Sequence, residues 1–292
     1  MITNLKSSKP VAMVFGASRG IGAQIAITLS KQYHVILLSK STINQPSKLP
    51  GTIEDVLQRL MEENGTGECI HCDVRKESTI NHAIDQVVSK YGRIDAIIYN
   101  PGAIDWSKVK STTVKKFDLM HEVNDRGLYL TVHHALPIFD EQKFGRFIVV
   151  SPPIYSRFFR GKTPYAMTKI AMSVLAVGLS MELGENQSIS CLWPATAIKS
   201  QVTDNFKMDD KLLRDPSIFA DACLEILNQP IEVVNGKCLI DEDFLKSTGV
   251  TNFEKYRCNP LVEPPRMLPK KFPSLLVEEQ DDRGISITRS KL

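Results

Sequence analysis

The sequence predicts an α/β protein, a single doubly wound domain on a parallel sheet followed by an irregular C-terminal tail. Three observations carry that class. Short apolar runs of strand length alternate with longer helical patterns from Val11 to Asp241, the signature of βαβ units that cover a parallel sheet on both faces. The first run leads straight into a glycine-rich turn, Gly16–Gly22, and then a helical pattern. Beyond Pro260 the alternation stops, and prolines and charge runs of both signs take over.

Taken in order, Val11–Phe15 is a buried-strand run. In Gly16-Ala17-Ser18-Arg19-Gly20-Ile21-Gly22 the glycines let backbone approach a pyrophosphate, and the helix Ala23–Gln32 adds N–H donors and a positive dipole end. Strand, glycine turn and helix make the domain Rossmann-type. A second strand, Val35–Leu38, ends in Ser39-Lys40, with no acidic residue to meet an adenosine ribose. Arg19 and Lys40 are placed instead to meet a 2′-phosphate, so the expected cofactor is NADP. Pro46 and Pro50 mark a loop, and Thr52–Glu63 reads as an amphipathic helix. Glu68–Cys72 is the third strand; Asp73 after it either accepts from an adenine amino group or caps the helix Glu77–Lys90. The fourth strand, Ile94–Tyr99, ends in Asn100-Pro101-Gly102-Ala103, small residues that let a loop pass close to a cofactor.

Helical patterns Thr113–His121 and Leu128–Phe139 flank Asn124, either a structural amide bridging backbone groups or a water-holding member of a proton path. Phe147–Val150 is a fifth strand, closed by Ser151-Pro152-Pro153 because proline cannot donate to a ladder. The next helix runs from Thr163 to about Leu183 and opens with Tyr165 and Lys169 four residues apart, on one face. A cation beside a phenol favours the phenolate, so the pair could exchange a proton with a reacting oxygen near neutral pH. Ile189–Leu192 is a sixth strand, Lys199–Lys207 a lid-like loop or short helix, Ser217–Asn228 a helix, and Gly236–Asp241 a last short strand.

Bulk properties exclude several classes. The chain has 292 residues, 42% of them hydrophobic and 24% charged, ordinary for a globular protein with a sizeable core. A net charge of +3 gives no argument for nucleic acid, and no run is long and apolar enough to predict a membrane span. Cys69 and Cys72 form a C-x-x-C pair with no second ligand pair nearby, so all six cysteines read as core thiols and no metal site is expected. The chain ends Ser290-Lys291-Leu292, the peroxisomal import address that an import receptor reads. Peroxisomal localisation is therefore expected.

The ordered motifs GASRGIG (Gly16–Gly22), CDV (Cys72–Val74), YNPGA (Tyr99–Ala103), VNDRG (Val123–Gly127) and YAMTK (Tyr165–Lys169) resemble those of short-chain dehydrogenases/reductases. LPGTI (Leu49–Ile53), VSPP (Val150–Pro153), LWPATAI (Leu192–Ile198) and LIDEDFLKSTGVTNFEKY (Leu239–Tyr256) resemble the family's hydroxysteroid dehydrogenase-like protein 2 subgroup, without its C-terminal sterol-carrier domain. The resemblance covers roughly residues 8–262, leaving 263–292 as tail. It implies an NADP-dependent carbonyl–alcohol oxidoreductase acting on a lipid-derived substrate, commonly as a homo-oligomer. Gly16, Ser18, Arg19, Gly20, Ile21 and Gly22 would line the cofactor phosphates and adenosine, Lys40 the 2′-phosphate side, Asp73 the adenine and Asn100 the ribose region. Tyr165 would be the acid/base, Lys169 its partner on the nicotinamide ribose, Asn124 the holder of a relay water and Ser151 the group that orients the substrate carbonyl. Ser151 stands one residue further from Tyr165 than the family's usual serine, so either it serves through a local shift or that donor is missing. With little turnover, the same fold could serve as a nucleotide- or lipid-binding protein.

Overall fold

The computed structural model describes residues 9–47 and 49–275. Six strands, β1 (Val11–Phe15), β2 (His34–Ser39), β3 (Thr66–His71), β4 (Ala96–Tyr99), β5 (Gly145–Val150) and β6 (Gln187–Trp193), follow the expected apolar runs. Two residue pairs, Ala197–Ile198 (β7) and Leu213–Arg214 (β8), form a separate small sheet, and β9 (Cys238–Ile240) is the last strand. The main sheet is all parallel, in the order β3-β2-β1-β4-β5-β6-β9. The chain winds outward from β1 to β3, then returns to β4 beside β1 and winds the other way. That reversal opens a crevice at the carboxyl ends of β1 and β4, where ligands of this architecture bind.

Both faces of the sheet are covered, which is why β1, β2 and β4 are apolar almost without alternation. Helices α1 (Gly20–Leu29) and α2 (Ile53–Glu62) pack on one face, together with a later helix, Ser217–Asn228. On the other lie α3 (Glu77–Tyr91), α5 (Asp125–Gln142) and α6 (Thr163–Leu179), with α4 (Val114–Val123) leading into α5. Local chemistry fixes several ends. Thr52 and Asp55 form a capping box at the start of α2. Gly92, with φ of 72°, ends α3 in the left-handed conformation that glycine adopts without penalty. Pro164 occupies the first turn of α6, where its missing N–H costs nothing.

After β7 the chain forms α7 (Gln201–Asn205), β8, α8 (Ser217–Asn228), α9 (Ile231–Val234), β9 and α10 (Asp241–Ser247). The α9 and α10 helices were not legible in the sequence, being too short to show a period. From Pro260 to Leu275 the chain is irregular, as expected, yet it is anchored. The backbone N–H groups of Met267 and Leu268 donate to the Ala195 carbonyl at 2.8 and 3.2 Å, and Arg266 makes two 2.7 Å hydrogen bonds to Asp243. The Ser290-Lys291-Leu292 terminus lies outside the described residues.

A buried ionic cluster ties this C-terminal region down. Arg214, 2% exposed, donates to Glu242 at 2.8 Å, to the Phe253 carbonyl at 3.3 Å and to Glu263. Glu242 also accepts from Thr196 at 2.9 Å. Removing the arginine leaves the buried Glu242 with only the exposed Lys246, 3.5 Å away, a change that costs about 3–5 kcal/mol. Arg214→Leu is therefore expected to lower unfolding stability by that amount in urea titrations. A loss under about 1 kcal/mol would mean that the cluster is energetically neutral.

Candidate active site

The first wall of the crevice is the turn between β1 and α1. Gly16 has φ of 74° and Gly20 of 54°, values open to glycine. A Cβ at Gly22 would sit 2.2 Å from the Gly16 carbonyl oxygen and 2.6 Å from Asn100 Nδ2, so that position admits no side chain. A Cβ at Gly20, by contrast, would meet only Ser200 Cβ within 4 Å among the described residues, at 3.8 Å. The turn is thus tight inward and open outward. The N-terminus of α1 has no side-chain cap and no acidic residue in its first turn, leaving backbone N–H donors for an anion. Asn100 Nδ2 donates to the Gly16 carbonyl at 3.1 Å, joining the end of β4 to the turn. Ser18 is buried, and Ile21 packs partly against the core.

At the outer end, Arg19 donates to Ser41 Oγ and Ser47 Oγ at 2.8 Å each and to the Gly51 carbonyl at 3.2 Å. Partial burial lowers its pKa, and it forms no ion pair among the described residues. Ser39 Oγ lies 3.2 Å from Ser18 Oγ. Beside them is a cavity of about 490 Å³ lined by Lys40, Ser47, His71, Asp73, Arg75 and Lys76 among others. Asp73, 7% exposed, receives Arg75 Nε at 2.9 Å. Burial works to raise the Asp73 pKa, but hydrogen bonds from Arg75 outweigh it and the net shift is downward. The carboxylate is ionised, and three cations flank it. At the Arg19 end, a guanidinium and serine hydroxyls with no carboxylate among their hydrogen-bond partners fit a phosphate.

The second wall is α6. Tyr165 and Lys169 are 3% and 2% exposed. Lys169 Nζ donates to the Val150 carbonyl at 2.8 Å and stands 5.6 Å from the Trp193 ring centroid. Burial brings the Lys169 ammonium down to about 7, opposed by the Cys191 thiol. Burial also pushes the Tyr165 phenol up. The spacing predicted a phenol lowered by its neighbour; in the structure desolvation dominates both groups and drives each toward its neutral form.

Asn124, at the break between α4 and α5, is fully buried. Its amide donates to the Ala103 carbonyl at 3.0 Å and to Thr168 Oγ1 at 2.8 Å, and its Oδ1 accepts from the Ala103 N–H at 2.8 Å. The bridging role is therefore filled, with one Oδ1 lone pair spare. A Cβ at Gly102 would lie 3.7 Å from Lys169 Nζ and 4.0 Å from Asn124 Oδ1, so both groups border the same small-residue loop.

Ser151 is fully buried, and its Oγ is left without a well-aligned hydrogen bond. It lies near the Cys191 thiol, which contact with Cys238 and burial raise and which the Ser151 and Ser173 hydroxyls lower in part. Ser173 Oγ donates to the Pro152 carbonyl at 2.6 Å, which pins the proline turn to α6. Ser156, the other serine of this loop, is exposed.

Sequence reasoning missed the apolar surround. Tyr155, Phe158, Met120 and Ala166 cluster with Tyr165, and Leu268 and Phe272 of the C-terminal segment pack against them. The Tyr155 and Phe272 rings meet edge to face at 5.2 Å. Only the density of aromatics between Ser151 and Tyr165 hinted at it; the approach of the tail is a long-range contact without a local signal.

Comparison with known proteins agrees with this geometry. Residues 10–210 match the family described as short chain dehydrogenase. Hydroxysteroid dehydrogenase-like protein 2 of Xenopus tropicalis is 34% identical over 253 residues, covering 85% of this chain and 60% of its own. The chain thus spans about three fifths of that curated relative's length. A crystal structure from Xanthomonas campestris, assigned as a dehydrogenase, superposes with a TM-score of 0.82 at 31% identity, covering 94% of this chain and 100% of its own. Actinorhodin polyketide ketoreductase, solved with NADPH, shares the fold at a TM-score of 0.69 and 18% identity, covering 82% of this chain and 97% of its own.

The burial of Lys169 has a thermodynamic signature. Its folded pKa of about 7 lies below the unfolded value of about 10.4. Between these two the unfolded chain binds more protons, so stability rises with pH across that window. The ligand-free protein is expected to gain stability from about pH 7 to pH 10 relative to Lys169→Met, measured by urea unfolding at stepped pH. Parallel pH profiles for the two proteins would show that Lys169 is charged and solvated.

Proposed function

Because the chain belongs to the short-chain dehydrogenase/reductase family, we propose that it is an NADP(H)-dependent oxidoreductase that interconverts a carbonyl and a secondary alcohol, acting on a lipid-derived substrate in peroxisomes. The observation that carries the reading is the Tyr165/Lys169 pair, buried on one face of α6 with Lys169 Nζ fixed by the Val150 carbonyl. When bound, the nicotinamide supplies or accepts the hydride. Gly16, Ser18, Gly20, Ile21 and Gly22 receive the pyrophosphate end, and Asn100 keeps their turn closed. Arg19 and Lys40, neither of them in an ion pair among the described residues, receive the 2′-phosphate, and Asp73 meets the adenine. NADPH in the ketoreductase that shares this fold supports the choice of cofactor.

In the reductive direction the Tyr165 hydroxyl would give its proton to the substrate's carbonyl oxygen. The C=O π bond would become an O–H bond to the proton from Tyr165 and a C–H bond to the hydride that a bound nicotinamide would supply. Lys169 stabilises the phenolate left behind; its depressed pKa lets the amine take up and pass on a proton near neutrality. The spare lone pair of Asn124 Oδ1 can hold a water that returns the proton. Ser151, whose buried hydroxyl lacks a well-aligned partner, is the donor left to orient the carbonyl.

The relatives named hydroxysteroid dehydrogenase-like protein 2 and the apolar surround of Tyr165 support a lipid-derived substrate. Ser290-Lys291-Leu292 supports recognition by the peroxisomal import receptor. Met167 and Val174, exposed on the outer face of α6, suit a homo-oligomer. A second reading, a fold kept for nucleotide or lipid binding with little turnover, draws on the complete burial of Ser151 next to Pro152.

Tyr165→Phe is expected to reduce NADPH oxidation with medium-chain ketones by about 10²–10⁴-fold while leaving NADPH binding intact. Equal rates in the two proteins would remove Tyr165 from the mechanism. Cofactor binding without oxidation of any ketone by the wild type would favour the second reading.

A further inference from the structure

Lys162, three residues before Tyr165, carries a cation whose place in the fold the proton chemistry does not use. Its Nζ stands 4.2 Å from the Phe158 ring centroid and 5.6 Å from that of Trp106, within cation–π range. The residue is half-buried, and burial alone lowers its pKa. Among the described residues, Lys162 Nζ makes no ion pair or hydrogen bond. The carboxylate next along the chain from Trp106, Asp105, is taken by Lys116 at 2.5 Å. Asp210, beyond the α7 segment, is taken by Lys199 at 3.0 Å.

The surroundings of this cation describe a ligand. Trp106 is stacked on Phe206 with centroids 5.1 Å apart and rings 8° from parallel, although both are about half exposed. The pair joins the loop after β4 to the end of α7. Inward, the Phe158 ring lies 6.3 Å from the Tyr165 ring, and Phe158 belongs to the apolar cluster that holds Tyr165, Leu268 and Phe272. A ligand reaching from Tyr165 to Lys162 therefore crosses an aromatic wall and ends at a partly desolvated ammonium. Carbonyl at one end, apolar body between, anion at the other is the chemistry that the path accepts.

We propose that Lys162 is a substrate-recognition residue that holds an anionic oxygen group on an apolar carbonyl substrate, with Trp106 and Phe206 flanking the entrance. This rests on the oxidoreductase reading for the carbonyl end, but the anion subsite is a binding property that needs no turnover. The anion is a carboxylate on the apolar chain itself, or a phosphate of a carrier thioester. A partly desolvated ammonium gains more from an anion than an exposed lysine does, because little further hydration is lost.

The full chain, loaded with NADPH, can be titrated with decanoate, methyl decanoate and decanoyl-coenzyme A. Both tryptophans of the sequence, Trp106 and Trp193, lie at this site, so intrinsic fluorescence reads occupancy, and calorimetry gives an independent isotherm. The wild type is expected to bind decanoate about tenfold or more tightly than its ester. Lys162→Gln abolishes that difference without weakening the ester, and Lys162→Arg restores it. If only the coenzyme A thioester loses affinity in Lys162→Gln, the anion is the carrier phosphate. Equal affinity for acid, ester and thioester in wild type and Lys162→Gln overturns the proposal. Failure of the oxidoreductase reading shows separately, as absent NADPH oxidation with normal ligand discrimination. In turnover with a keto acid and its ester, Lys162→Gln should raise KM for the acid alone and leave kcat unchanged; a matching fall in kcat for both contradicts a recognition role.

Discussion

The hydrogen bond from Asn100 Nδ2 to the Gly16 carbonyl, 3.1 Å long, is the constraint on which the site depends. It connects the ends of two adjacent parallel strands where the direction of winding reverses. Gly16 must be left-handed to present that carbonyl, and Gly22 must lack a Cβ because the same oxygen lies 2.2 Å from where one would be. The turn is consequently pressed against the sheet, and its outer surface, above Gly20, is left clear. An open N-terminus of α1 follows from the same geometry. Asn124 performs the equivalent service on the other side of the crevice, holding Ala103 by both its N–H and its carbonyl and reaching Thr168 of α6. The Asn100 and Asn124 amides thus tie the glycine turn to the end of β4, and the loop after β4 to the Tyr165 helix.

Within that frame the reactive pair is kept under-solvated. A buried ammonium with one carbonyl partner and a buried phenol are both displaced toward neutrality. On the proposed function this is useful, because the amine lies near the point where it can gain or lose a proton around neutral pH. The C-terminal segment completes the enclosure. Leu268 and Phe272 reach the Tyr165 cluster only because Ala195 accepts from the backbone beside them and Arg266 holds Asp243.

Much of this was legible in the sequence. The apolar strand runs, the glycine turn and the helical face shared by Tyr165 and Lys169 are local patterns that short stretches of sequence display. The helix Ser217–Asn228 lies where its pattern placed it. Asn124 was readable as one of two roles, and its three hydrogen bonds now account for the bridging one. Other features have no local signature. The surroundings of Ser151 depend on side-chain alternation: Val149 and Cys191 face α6, and Ser151 follows Val149 on that side, next to Ser173. A single residue of shift reverses such a choice, and residue spacing alone could not decide it. The Arg214–Glu242–Glu263 cluster and the packing of Phe272 on Tyr155 join segments far apart in sequence, so the tail read as irregular but not as a wall of the site. Lys162 was invisible for the same reason, since a lysine near a helix start is ordinarily a solvated cation.

On the proposed function, the glycine turn, Arg19 and the α6 pair make one nucleotide site biased toward a 2′-phosphate. Equilibrium titration of the wild type and Arg19→Ala with NADPH and NADH, followed by protein fluorescence, tests it most directly. Wild-type affinity for NADPH is expected to be about tenfold or more above that for NADH, a preference lost in Arg19→Ala with NADH binding unchanged. Equal affinities in the wild type, or a preference that survives the substitution, would contradict it.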